Sequence, residues 1–346
     1  MSGGKPVKKR GWIFFLLAAF FPLSVGATGN NHKGVIPLEI KLCRSGDQMP
    51  SVKKVGLFLV VMMLGALMGD SALAGPAVKL LKSQGGFSRP HDLTLSPDGK
   101  FLYVADLGND RVQVLASNSL KVLGSIGAGE LSDPHDVAFD KKGQLLVADT
   151  GNHRIAIFRV DGAKGQLIST LTEGLSGPEG VVAGADGAIY VADTSAHAVV
   201  LFKHGKRIKQ LGRRGEGPGE FIRPHDVALD RHGNILATDP GNNRVQVLSE
   251  NLEPMLRLGG HPYNFKEPKY LDRDEAGRML VADQHNNRIV VLDDQYQPVL
   301  VIPDTPHEAD GLKLHLPEGV VSKGKHVWVS DTYAHRILLF EILGTK

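Results

Sequence analysis

Val147-Ala148-Asp149-Thr150-Gly151-Asn152-His153-Arg154-Ile155 and Val281-Ala282-Asp283-Gln284-His285-Asn286-Asn287-Arg288-Ile289 are two copies of one pattern. An apolar run ends in aspartate, a polar turn comes next, and arginine opens the next apolar run. Around them, prolines at 90, 134, 178, 224, 268 and 317 each open the same larger unit, at spacings of 44, 44, 46, 44 and 49 residues. After each proline come an apolar stretch, a glycine turn (Gly99, Gly143, Gly187, Gly233, Gly277, Gly324) and a strand ending in Asp106, Asp149, Asp193, Asp239, Asp283 or Asp331. The short Val-, Ile- and Leu-rich runs between Gly, Asn and Asp turns make each unit a four-stranded antiparallel sheet. Six such units arranged radially give an all-β fold, a six-bladed β-propeller. The last unit ends at Phe340-Glu341-Ile342-Leu343 without a fourth run, while Ala77 to Gln84 resembles the fourth strand at Leu120 to Ile126. The N-terminal strand is therefore expected to complete the last blade and remove an exposed edge.

The two quoted stretches, together with Gly215-Glu216-Gly217-Pro218-Gly219-Glu220-Phe221 between blades, resemble NHL repeats, and the resemblance spans residues 77–346. It implies the propeller fold and leaves function open, because that fold carries binding modules, sensor domains and enzymes. The glycines at 215, 217 and 219 are not a phosphate loop. No Lys-Ser or Lys-Thr comes after them and the stretch precedes a strand, so an interblade turn is expected.

Residues 1–27 and 49–74 each combine a basic start, an apolar run and small residues, and the second ends in Ala72-Leu73-Ala74, a signal-peptidase pattern. Met49 is read as the true start, and 1–74 as a leader rather than a two-helix anchor, since each apolar run is shorter than a membrane span. Periplasmic or secreted protein is expected, with the membrane involved only through an uncleaved leader. The single cysteine, Cys43, falls in that leader and excludes an intramolecular disulfide framework. The whole chain carries a formal charge of +3, yet residues 75–346 hold 31 Lys or Arg against 34 Asp or Glu. A faintly acidic domain lacks the basic surface that nucleic acid demands. A monomer is expected.

Six copies act as internal controls. Aspartate with arginine five residues later recurs in five blades (Asp106 and Arg111, Asp149 and Arg154, Asp239 and Arg244, Asp283 and Arg288, Asp331 and Arg336), which marks a structural brace of the turn. Blade three has Ala198 there, so its turn should be the least braced. The residue after each proline varies: His91, His135, Glu179, His225, Lys269 and Glu318. These six side chains should ring the mouth of the central channel. Ten of the thirteen histidines beyond residue 74 map to that face, a bias towards function there.

His91, His135, Glu179 and His225 form a contiguous arc over blades one to four and suit Zn²⁺ or another divalent ion, although an unoccupied polar channel is the more common outcome for such a mouth. Asp92, Asp136 and Asp226 come directly after three of these positions, either fixing an imidazole tautomer or capping a turn. Arg89 and Arg223 precede the Pro-His-Asp units of opposite blades and, with Lys269 and Glu318, are candidate ligand-binding residues. The insertion from Pro303 to Leu316, with His307, Glu308, Asp310 and His315, is read as a surface loop or a lid.

Three functions remain open. The first is an exported scaffold that binds a protein, peptide or small polar ligand through its histidine-rich face, without catalysis; nothing like Gly-x-Ser-x-Gly occurs. The second comes from a resemblance to peptidyl-α-hydroxyglycine α-amidating lyase, an NHL-type propeller. That resemblance implies zinc held by His91, His135 and His225, with Tyr270, Tyr333, Arg89 or Arg223 as catalytic candidates. The third is an anion sensor or carrier working through Arg89 and Arg223. For the leader, Edman sequencing of exported protein is expected to read Gly75 first; an intact 1–74 segment would overturn that assignment.

Overall fold

The computed structural model describes residues 78–303 and 313–343. The leader, Cys43 and the insertion residues His307, Glu308 and Asp310 lie outside them. Twenty-four strands form six four-stranded antiparallel sheets. Val78–Gly85 pairs antiparallel with Arg336–Ile342, so the first strand is the outermost strand of the last blade, as the sequence pattern implied.

The inner strands of each sheet are buried on both faces, while the outermost strands are largely exposed. Six apolar clusters fill the six gaps between neighbouring blades, for example Tyr103, Val112 and Val137 between blades one and two, and Leu93, Val321 and Trp328 between blades six and one. This is why the inner runs are solidly apolar instead of alternating. Polar atoms of the large aromatics are satisfied across the same gaps. Trp328 Nε1 donates to the Ser117 carbonyl at 2.8 Å, across the junction where the ring closes, and the Tyr103 hydroxyl donates to the Gly162 carbonyl at 2.8 Å.

The recurrent aspartates are fully buried at the end of each second strand. Each carboxylate accepts the amide of the residue two before the proline: Ser88 to Asp106, Ser132 to Asp149, Ile222 to Asp239 and Lys266 to Asp283, all at 2.7 Å. The arginine five residues on donates its Nε to the other oxygen at 2.6–2.9 Å. Arginine also reaches the preceding interblade loop, most fully in blade four, where Arg244 donates to the carbonyls of Glu216, Gly217 and Glu220. The glycine-rich stretch is thus an interblade turn. Blade three keeps only backbone donors, Ser176 and Gly177, on Asp193, whose carboxyl burial pushes up.

The brace sets the path of the chain past the proline. In blades one, two, three and five the inner strand shifts register immediately after the proline, so that His91, His135, Glu179 or Lys269 falls out of the ladder. Such a bulge frees the side chain to project along the channel axis. The brace also yields a stability prediction. Arg244 is nearly buried, and Arg244→Ala should cost about 3 kcal/mol by leaving Asp239 charged without its cation. Arg111 is 30% exposed, and Arg111→Ala should cost about 1 kcal/mol. Urea denaturation checks both; equal losses would show that burial of the pair does not set its worth.

Candidate functional site

The residues after the six prolines converge at one end of the ring, in a cleft of about 270 Å³ that Arg89, Arg223, Tyr333, Gln284, Glu267 and His285 complete. All the sequence-predicted site residues line it except Tyr270. That tyrosine is fully buried behind the wall, 4.8 Å from the His225 ring, and its hydroxyl donates to the His135 carbonyl at 3.0 Å. Burial pushes its pKa well up, so it holds the wall and does not offer a phenolate. Tyr333 sits on the rim, 56% exposed.

The six positions are not equivalent. Blades one and four carry Arg-Pro-His-Asp, and blades three and six carry Pro-Glu-Gly. In the ring these units lie opposite one another and give the mouth an approximate two-fold character. His91 Nδ1 stands 3.0 Å from Glu318 Oε2, and His225 Nε2 stands 3.1 Å from Glu179 Oε2. Blades two and five break the symmetry with His135 and Lys269.

Ligand atoms of His91, His225 and Glu318 lie within 4.8 Å of one another, all three residues buried. His91 Nδ1, His225 Nδ1, Glu318 Oε2 and Glu179 Oε2 are buried and lack an aligned hydrogen-bond partner among the described residues. The 3.0 and 3.1 Å approaches are therefore close without hydrogen-bond geometry. Buried polar atoms are almost always satisfied, and three buried ligand-bearing residues whose atoms converge, each with an unpaired lone-pair carrier, fit a cation. The geometry differs from the histidine arc expected from the sequence. His135 is not in the tight group: its Nδ1 faces the Asp133 carbonyl at 2.9 Å and its ring packs edge-on, 4.7 Å from His91. Glu318 takes its place.

Electrostatics agree with neutral imidazoles. Burial, then the neighbouring His135, Lys269 and Arg89, hold His91 well below the usual histidine range; burial and Lys269 do the same to His225. His135 is lowered by burial, with the Glu179 charge opposing. Burial raises the Glu318 carboxyl to about 7. Gln284 orients that carboxyl by donating to its Oε1 at 2.5 Å. Sequence reasoning missed Gln284; its signal is that Thr150, Thr194 and Thr332 occupy the equivalent position and donate to the next blade's proline carbonyl.

Asp92, Asp136 and Asp226 neither fix an imidazole nor cap a turn. They line a second space of about 180 Å³ below the mouth, with Asp272. There two of them latch neighbouring blades: Asp136 accepts the Val181 amide at 2.5 Å and Asp226 the Leu271 amide at 2.7 Å. Burial raises Asp92 and Asp226 well above the usual range, Asp136 to about 6 and Asp272 to about 7. The chain is crowded here. A Cβ on Gly180 would lie 2.5 Å from the Asp226 Cα, and one on Gly319 2.8 Å from the Asp92 Cα, so only glycine fits after Glu179 and Glu318.

The histidine excess on this face also has a structural source. After each short turn one residue adopts left-handed backbone: Asp110, His153, His197, Asn243, Asn287 or His335. Asp110, Asn243 and Asn287 accept the amide of the next blade's pre-proline residue at 2.8–2.9 Å, and His197 and His335 do so through Nδ1 at 3.0 Å. Two of the histidines counted towards function therefore serve the ring itself; His153 instead faces the Ser176 carbonyl.

Known proteins place this architecture. The NHL repeat family matches residues 131–158, and a family described as a 6-bladed beta-propeller matches residues 169–247. A 6-phosphogluconolactonase of Formosa agariphila is 39% identical over 87 residues, 23% of this chain and 24% of that one, so the chain spans about a quarter of the curated relative it matches. Virginiamycin B lyase from Staphylococcus aureus superposes with a TM-score of 0.56 at 12% identity, over 77% of this chain and 100% of that one. A protein provisionally named a gluconolactonase does so with a TM-score of 0.59 at 16% identity, over 79% and 95% of the two chains. At such identities the likeness is one of fold. With six four-stranded blades, a strand from each end of the propeller in its closing sheet and a match to the NHL repeat in blade two, the chain folds as a six-bladed β-propeller.

Proposed function

We propose that the mouth binds one divalent cation through His91, His225 and Glu318, and that the protein is a metal-dependent enzyme of the lyase kind acting on a small polar substrate. The observation that carries this reading is the convergence of ligand atoms of His91, His225 and Glu318 within 4.8 Å, in three buried residues that each keep a buried polar atom without a hydrogen-bond partner. Two neutral imidazoles and one carboxylate leave coordination positions open, the donor set of a catalytic rather than a closed structural site. A cation there supplies Lewis-acid polarisation of a substrate oxygen. The chain's own groups do the rest. Gln284 keeps Glu318 turned inward, and Glu179 is the buried carboxylate left over to accept a proton. Tyr333 on the rim meets the substrate, while Tyr270 stays locked to its carbonyl. Virginiamycin B lyase among the fold neighbours supports the reaction class by analogy.

Isothermal titration with Zn²⁺, beside plasma mass spectrometry of the dialysed protein, is expected to give one equivalent. His91→Ala with His225→Ala should abolish it with the fold retained by circular dichroism, whereas His135→Ala should weaken it less than tenfold. No binding by the wild type would return the protein to the scaffold reading. Lyase and lactonase substrates screened with and without chelator then test turnover.

The Glu318 carboxyl provides a check on pH. Its folded pKa, about 7, lies above the unfolded value, so metal-free protein favours the protonated form and loses stability as pH rises from about 4.5 through 7. Glu318→Gln should remove that slope and stabilise chelator-treated protein at pH 8 by about 3 kcal/mol, against little change at pH 5. Parallel wild-type and variant curves would show that Glu318 is ionised without cost.

A further inference from the structure

We propose that the mouth grips an oxyanion of its substrate, a carboxylate or a phosphate-like group, between Arg89 and Arg223, with His335 and His197 as positioning residues for the two arginines. The inference rests on the reading of the mouth as a metal-assisted site and names the chemistry of the group that enters it.

Arg89 and Arg223 come from opposite blades, line the same cleft and are exposed to it. Among the described residues, neither guanidinium has an ion-pair or hydrogen-bond partner, although most of the propeller's arginines are tied to aspartates or carbonyls. A guanidinium presents its donors in a planar fork that matches an oxyanion, and two forks facing one axis suit a group held between them. Charge favours the same occupant. Arg89, Arg223 and Lys269 balance Glu179, Glu267 and Glu318 in the lining, so a divalent cation would leave the cleft with a surplus of two positive charges.

The backbone under both arginines is held in a special way. Their φ angles are 52° and 60°, a left-handed conformation that side-chain-bearing residues rarely adopt. Each amide donates to a histidine of the preceding blade, Arg89 to His335 Nδ1 and Arg223 to His197 Nδ1, both at 3.0 Å. Where the pre-proline residue is Asp133, Glu267 or Leu316, the acceptor is Asp110, Asn243 or Asn287. Five of the six blades thus place an acceptor here, and asparagine is a natural substitute for histidine.

Malonate and sulfate, titrated calorimetrically into the zinc-loaded protein at low and high salt, test the proposal, with zinc affinity measured in parallel. One anion site is expected, weakened by salt and roughly tenfold by Arg89→Gln or Arg223→Gln, since each removes a charge-assisted contact. His197→Ala and His335→Ala should weaken it too, while His197→Asn and His335→Asn restore it; a merely structural histidine would not show that rescue in anion affinity. Tighter malonate than sulfate marks a carboxylate ligand, the reverse a tetrahedral one. Zinc binding without anion binding, or anion binding that survives the double arginine change, overturns the clamp and leaves the metal reading intact. Arginine-dependent anion binding in a protein that takes no zinc upholds the clamp and removes the metal reading.

Discussion

A buried aspartate at the end of each second strand, accepting the amide two residues before the proline that opens the same blade's inner strand, is the interaction on which this propeller depends. A carboxylate with no exposure is costly unless its oxygens are filled, and here one oxygen takes a backbone amide and the other an arginine Nε in five blades. The bond joins two turns of one blade and aims the chain at the axis. Arginine then carries the tie outward to the interblade loop. Blade three shows the minimum, since Asp193 persists there on backbone donors alone.

That constraint builds the site. In most blades the chain leaves the brace through a left-handed residue and passes the proline, and in blades one, two, three and five it then bulges, so that the side chain after the proline falls out of the ladder into the mouth. Because the fold sets the position and not the identity, six places are free for chemistry. The chain fills them as two His and Glu pairs on opposite sides, with His135 and Lys269 making the halves unequal. One residue deeper, aspartates pointing away from the mouth bind amides of the neighbouring blades. Polar groups near the axis are thus divided between a layer that holds the ring and a layer with atoms left unpaired.

The repeats made much of this legible. The Asp and Arg spacing identified a brace because it recurred, and the residue after each proline was singled out because it did not. The same logic, applied one residue at a time, would have caught Gln284, which replaces a threonine, and would have assigned His197 and His335 to the position held elsewhere by asparagine. Counting histidines by face merged those ring-holding residues with His91 and His225.

By itself the sequence determined the number of blades, the closing strand and the six side chains at the mouth, because a repeat period and an alternating pattern are local quantities that add up around a ring. Only the tertiary structure decided that Glu318 replaces His135 beside His91 and His225, that Tyr270 turns its hydroxyl to a carbonyl, and that Asp92, Asp136 and Asp226 face the layer below. Those outcomes are distances across the axis. They depend on where each bulge falls and how closely glycines such as Gly180 and Gly319 let the inner strands converge, and no spacing along the chain encodes them.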